Sequence, residues 1–236
     1  MKLLPIFPDA TIMRKLFFLL CFSILLHPLH AQTQMVKALN EGKDQMVVVY
    51  GTSLSSGNHG HAWMGEVARQ LNQKYGNHLK YSLSGKGGMW STWGVQHLED
   101  SVIAKKPDAV IIEFGINDAF HKYNTSPELA RLNLEYMIDR IQLYDPECEI
   151  ILQVMNMPVG KSATYRPDLN SYYDMYRTVA KDRDLLLIDH YPNWEAVLSK
   201  GDAVFLQKVP DGIHPSDQSG REIIAPLVLQ KLEEGK

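Results

Sequence analysis

The sequence is poor in cysteine, in basic excess and in long apolar runs, and each shortage excludes something. Its 236 residues contain two cysteines, Cys21 and Cys148. Cys21 lies in an apolar N-terminal run, so export and cleavage would leave Cys148 alone, with no internal disulfide. Stability then has to come from core packing. A formal net charge of −3 excludes a generally basic nucleic-acid binder. Long charge runs, low-complexity stretches and internal repeats are missing as well. No cluster suggests a metal site: His59 and His61 stand close together without an acidic or cysteine neighbour and read as loop residues near the substrate. No cofactor signature is present. After Gly57 there is no Lys-Ser/Thr pair to close a phosphate loop, and the triple-glycine pattern of a dinucleotide loop is absent.

The N-terminus reads as a signal. Arg14 and Lys15 precede the apolar run 16–26, and the small residue Ala31 precedes Gln32. That run is well short of the roughly 20 residues a spanning helix needs. The pattern predicts a secretory signal peptide over 1–31, beginning at Met1 or at Met13, and a single domain over 32–236. Leu29 occupies a position where a small residue is usual at the cleavage site. Phe22 after Cys21 argues against a lipoprotein cysteine. The expected destination is the periplasm or the extracellular space, with no stable membrane insertion after cleavage.

The remaining chain alternates two patterns. Nearly continuous apolar, β-rich runs occur at 45–51, 79–85, 108–117, 149–158 and 185–190. Strands of a parallel sheet covered on both faces look like this. Helical stretches lie between them, at 61–76, 92–106, 126–145 and 168–184, with a last helix over about 216–234 kinked at Pro226. In the third, Ser126 suits the N-cap and Pro127 the first turn, while Leu134, Met137, Ile138 and Ile141 form a core-facing stripe. The fold class is therefore α/β: a three-layer α/β/α sandwich around a five-stranded parallel sheet. Ligands in such sheets bind beyond the carboxyl ends of the strands.

Those ends carry the chemistry. Gly51-Thr52-Ser53 follows the first run, Ser84-Gly85-Lys86-Gly87-Gly88 the second, and Gly115-Ile116-Asn117-Asp118 the third, with Asp211 and His214 near the C-terminus. A hydroxyl, an amide-rich turn, a carboxamide and a carboxylate–imidazole pair supply the parts that acyl transfer needs. The α/β-hydrolase elbow does not fit, because position 55 is serine where glycine is required.

The four blocks Gly51-Thr52-Ser53-Leu54, Ser84-Gly85, Gly115-Ile116-Asn117-Asp118 and Asp211-Gly212-Ile213-His214 resemble those of the SGNH hydrolases, also called GDSL-type esterases and lipases. The resemblance implies a flavodoxin-like fold, Ser53 as nucleophile, His214 as base and Asp211 as its orienting acid. It also implies an oxyanion hole built from the N–H of Ser53, the N–H of Gly85 and the Asn117 amide. Gly87 competes with Gly85 for the second place, and Asp118 is expected to stabilise its loop. One residue departs from the pattern: Thr52 stands where the family usually has aspartate. The aromatic and polar segments 57–63, 119–124 and 159–168, with Trp90 and Trp93, are expected to surround the site and to favour an acetylated carbohydrate or small ester. A broad short-chain esterase or lysophospholipase is the alternative within enzymes. A non-catalytic carbohydrate-binding protein on the same fold is the alternative outside them.

Overall fold

The computed structural model describes residues 32–236; the expected signal peptide, 1–31, lies outside the described residues. The apolar runs form β1 (Gln45–Gly51), β2 (Leu79–Leu83), β3 (Ala109–Glu113), β4 (Glu149–Val154) and β5 (Leu186–Asp189). They pair in parallel as a single five-stranded sheet in the order β2-β1-β3-β4-β5. The principal helices are α1 (Gln34–Asn40), α2 (Gly60–Tyr75), α3 (Ser91–Gln96), α4 (Pro127–Tyr144), α5 (Leu169–Asp182), α6 (Tyr191–Leu198), α7 (Asp202–Lys208) and α8 (Ala225–Glu234).

The layering follows from connection handedness. From β1 the chain steps outward to β2, then returns across β1 to β3. Right-handed crossovers in opposite directions put their helices on opposite faces. One face carries α2 packed on α8. There α1 is fastened to α8 through Thr33, whose N–H and hydroxyl donate to the Leu232 carbonyl at 3.1 and 2.9 Å. The other face carries α3, α4 and α5 in series. Strands covered this way bury consecutive residues: Val47 to Tyr50 and Ala109 to Ile112 are all buried.

Several stretches differ from the sequence expectation: the strand expected over 149–158 ends at Val154, and α6 and α7 had no counterpart in it. Residues 115–118 leave the sheet as a helical turn. The helix expected over 92–106 breaks after α3 into two further turns, Leu98–Ser101 and Ile103–Lys105. The final helix is distorted before Pro226 rather than at it: a wide turn over Gly220–Ile224 precedes α8, and the proline sits in the first turn of α8. Proline lacks an N–H to donate backward, so the ladder is disturbed in the preceding turn. The Ser126 cap forms as its sequence suggests, with its hydroxyl accepting from Leu129 N–H at 3.2 Å.

The sheet order creates a switch point between β1 and β3, where successive connections diverge. A crevice opens there at the carboxyl ends of the strands, and Ser53 and Asn117 follow those two strands.

Two helix glycines should respond oppositely to Ala substitution. A Cβ at Gly94, inside α3, would lie 2.8 Å from the Phe114 ring and 3.0 Å from Met137 Sδ. We expect Gly94→Ala to cost about 1–3 kcal/mol in urea unfolding despite its better helix propensity. A Cβ at Gly65 in α2 meets only Tyr81 Oη, at 3.5 Å, so Gly65→Ala should stabilise by up to about 1 kcal/mol.

Candidate active site

The turn after β1 is short and firmly held. Thr52 caps a single 3-10 turn, Ser53–Ser55, its hydroxyl accepting from Leu54 N–H at 3.2 Å. Trp63, buried on α2, donates its indole N–H to Leu54 O at 3.0 Å. Ser56 Oγ donates to Ser53 O at 2.9 Å. Ser53 is thereby fixed at the mouth of the crevice.

The partner arrives from the far end of the chain. Ser53 Oγ lies 2.8 Å from His214 Nε2. His214 Nδ1 lies 2.6 Å from Asp211 Oδ2. The carboxylate can only accept, so Nδ1 carries the hydrogen and Nε2 is left to accept from the serine hydroxyl. The second Asp211 oxygen accepts the N–H groups of Ile213 and His214 at 3.0 and 2.7 Å. Burial alone would raise the Asp211 carboxyl, but bonds from the His214 ring and from the two backbone N–H groups outweigh it and hold the group below the usual carboxylate range. Gly212 makes this tight turn possible. Its φ is +79°, and a Cβ there would lie 2.9 Å from Val159 O. The loop after β4 then pins the turn: Val159 N–H donates to Gly212 O at 2.8 Å, and Asn156 Nδ2 to Ile213 O at 3.0 Å.

Gly85 is pressed against the serine turn. A Cβ on it would sit 2.7 Å from Thr52 O and from Ser55 C. Neither the Ser53 N–H nor the Gly85 N–H has an acceptor among the described residues. The competing Gly87 faces the serine side chain, its Cβ position 3.8 Å from Ser53 Cβ. Asn117, 5% exposed, donates from Nδ2 to Met89 O at 2.9 Å and accepts at Oδ1 from Arg166 Nη2 at 3.2 Å. One amide hydrogen of Asn117 is thus left without an assigned partner. Asp118 caps α3, accepting from Ser91 N–H at 2.9 Å, and burial pushes it to about 7.

Thr52 has a local explanation. Beside it on β3 stands Glu113, fully buried, whose Oε2 accepts from Thr52 N–H (3.2 Å), Thr52 Oγ1 (2.9 Å) and Ser55 Oγ (3.1 Å). Its Oε1 has no partner among the described residues. An ionised aspartate at 52 would bring a second acid against this buried one with no hydrogen to give it; the threonine hydroxyl donates to Oε2 instead. Burial raises Glu113 to about 8, against the pull of the Thr52 and Ser55 hydrogen bonds. Its proton is thus held to well above the usual carboxylate range.

His59 stacks face to face on His214, with ring centroids 4.2 Å apart and planes 11° from parallel. Burial first, then the neighbouring His214, lowers its affinity for a proton. His61 pairs with Asp217 at 3.2 Å at the exposed rim. Among the described residues no group of three or more His, Cys, Asp or Glu side chains is placed to hold a metal ion. Trp90 stacks on Tyr123 at 4.3 Å, and Phe120 meets Tyr123 edge-on at 5.3 Å. Trp93, expected at the site, instead packs inward against Tyr50, because α3 turns its indole toward the core. Sequence reasoning did not single out Glu113, and it held Arg166 only within the segment 159–168 expected around the site. A lone acid closing the apolar run before Phe-Gly-x-Asn was a usable signal for the first; a loop arginine carried none for the second.

Comparison with known proteins gives the family and the fold. Residues 49–220 match the model of the GDSL-like lipase/acylhydrolase family. With well over half its length matched, the chain belongs to that family, and so to the hydrolases acting on esters. No curated protein matches it. It resembles in fold a lipase/acylhydrolase from Enterococcus faecalis, at 24% identity and TM-score 0.67, with 81% of this chain and 96% of that one covered. It also resembles an acetylxylan esterase from Geobacillus stearothermophilus, at 21% identity and TM-score 0.68, with 80% and 94% covered. Variants of the latter enzyme with alanine in place of a serine, an aspartate or a histidine are described as catalytic mutants.

Glu113 gives a pH prediction. An acid whose folded pKa is raised stabilises the fold fully below its unfolded value, 4.5, and that contribution is lost as pH rises through about 8. Asp118 adds a loss of the same sign between 3.8 and about 7. Between pH 5 and 8.5 the wild type should lose on the order of a few kcal/mol of unfolding free energy. Glu113→Gln should lose distinctly less, measured by urea unfolding at both pH values. Equal losses would contradict the assignment.

Proposed function

We propose that this protein is an exported serine esterase that removes short acyl groups, acetyl foremost, from carbohydrate. The observation that carries the reading is the hydrogen-bonded series Ser53–His214–Asp211, with contacts of 2.8 and 2.6 Å. A serine hydroxyl is a poor nucleophile until a base takes its proton. Here His214 Nε2 takes it as Oγ attacks the ester carbonyl. Asp211 holds the ring tautomer and stabilises the imidazolium. The oxyanion is collected by the Ser53 and Gly85 N–H groups and by the free amide hydrogen of Asn117. His214 then protonates the departing alcohol, leaving an acyl group on Ser53. Water, deprotonated by the same imidazole, attacks that acyl carbon and restores the serine.

The carbohydrate reading rests on the rim. Trp90, Tyr123 and Phe120 offer aromatic surface beside polar side chains, which suits sugar rings. The fold is shared with an acetylxylan esterase in which the aspartate and histidine of the described mutants also stand three residues apart. Export rests on the signal-like residues 1–31, and the N-terminal sequence of the secreted protein tests it: a start near Gln32 supports cleavage there.

Purified residues 32–236 should hydrolyse 4-nitrophenyl acetate faster than the butyrate. Ser53→Ala should fall to background, and Asp211→Asn should lower kcat by up to about 10⁴. Release of acetate from acetylated xylo-oligosaccharides is the corresponding assay for the carbohydrate claim. Loss of neither activity in Ser53→Ala would refute the nucleophile.

A further inference from the structure

Arg166 stands out among the buried groups. It lies on the loop that joins β4 to α5 and is 7% exposed. Among the described residues no carboxylate pairs with it, although most other described arginines have such a partner. An arginine keeps its charge inside a protein, and a buried charge without a counter-ion is costly. Burial pulls its proton affinity down from the usual arginine value. The guanidinium is instead held by oxygen dipoles. Nε donates to Ile116 O at 2.7 Å, Nη1 to Ser162 O at 3.0 Å and Nη2 to Asn117 Oδ1 at 3.2 Å. The Phe120 ring lies 4.8 Å from Cζ.

Two of these bonds converge on the turn that carries Asn117. A guanidinium has only donors, so the amide of Asn117 must turn its oxygen toward Arg166 and its nitrogen away. Met89 O, an acceptor, receives that nitrogen from the other side at 2.9 Å. The amide cannot flip without placing donor against donor at one end and acceptor against acceptor at the other. A cation bound at the carbonyl oxygen also polarises the amide, so its N–H bonds become stronger donors.

We propose that Arg166 is a positioning residue for the esterase reaction: it locks the Asn117 amide with its N–H toward the nascent oxyanion and puts a fixed positive charge behind it. This rests on the serine-esterase reading above. A preset donor needs no reorganisation when charge develops on the substrate, which is where such groups lower barriers.

A double-mutant cycle separates this role from mere support of the loop. Arg166→Met should lower kcat on 4-nitrophenyl acetate by about 10- to 100-fold, with KM changed by less than about threefold. Asn117→Ala should cost about 10²- to 10³-fold. The double variant should be within about threefold of Asn117→Ala, since Arg166 acts through that amide. Arg166→Lys, which keeps the charge but not the fork, should recover part of the loss. Thermal melts establish that each variant is folded. Multiplying effects in the double variant, or wild-type kcat in Arg166→Met, would overturn the proposal.

Side-chain amide NMR provides a second arm that needs no turnover. Arg166→Met should shift or broaden the Asn117 amide signals, while those of Asn72, held by Leu79 far from Arg166, stay in place. Unmoved Asn117 signals would overturn the proposal as well. Turnover that survives Ser53→Ala would instead sink the esterase reading, and the NMR arm then decides the amide lock by itself.

Discussion

The hydrogen bond between Ser53 Oγ and His214 Nε2 joins residues 161 positions apart, and the site depends on that meeting. It requires the chain to return across β1 after β2, so that a crevice opens between β1 and β3. It requires the loop after β4 to reach the Asp211–His214 turn, which Val159 and Asn156 do through backbone carbonyls. It also requires Asp211 to hold the imidazole at 2.6 Å while its other oxygen braces the turn. One carboxylate thus orders both the His214 ring and the loop that carries it.

Behind these groups lie two buried acids, Glu113 and Asp118. Glu113 receives the three donors of the serine turn on a single oxygen, and Asp118 caps the helix that follows the glycine-rich loop. Burial keeps both acids protonated well above their ordinary range, to about 8 and about 7. Neutral acids accept hydrogen bonds without the full desolvation penalty of a carboxylate. The turns bearing Ser53 and Asn117 are therefore fixed by polar contacts in the protein interior rather than by solvent. Rigid turns of this kind keep reacting groups in register at a place where the backbone leaves the sheet. Thr52 belongs to the same arrangement: it is the residue type that can donate to Glu113 and cap the serine turn at once.

Much of this was legible in the amino-acid sequence. Continuous apolar, β-rich runs located five strands, because residues covered on both faces, such as Val47 to Val49, must all be apolar. The Ser126-Pro127 start of α4 was readable from local chemistry. The blocks at three strand ends singled out Ser53, Gly85 and Asn117, and a block near the C-terminus Asp211 and His214; the fold brings Ser53, His214 and Asp211 into one hydrogen-bonded series with Gly85 pressed against the serine turn. Sheet order was not legible, since it depends on crossover direction and not on any single segment. The break after α3 was hidden because the apolar spacing of a helix continues through the turns that replace it. Glu113 and Arg166 were not singled out, for a shared reason. Their burial is created by elements far away in sequence, and a charged residue met alone reads as surface. Trp93 shows the converse: an aromatic near the site in sequence is turned to the core by the helix that bears it.

The most direct measurement of Ser53 as the nucleophile is covalent capture. Folded protein is treated with a fluorophosphonate and the labelled peptide is mapped by mass spectrometry. One phosphonyl group per chain should appear on Ser53, and labelling should collapse after heat denaturation and in His214→Ala. Label on another residue, or equal labelling of Ser53 with and without His214, would contradict the arrangement of Ser53, His214 and Asp211 as a working relay.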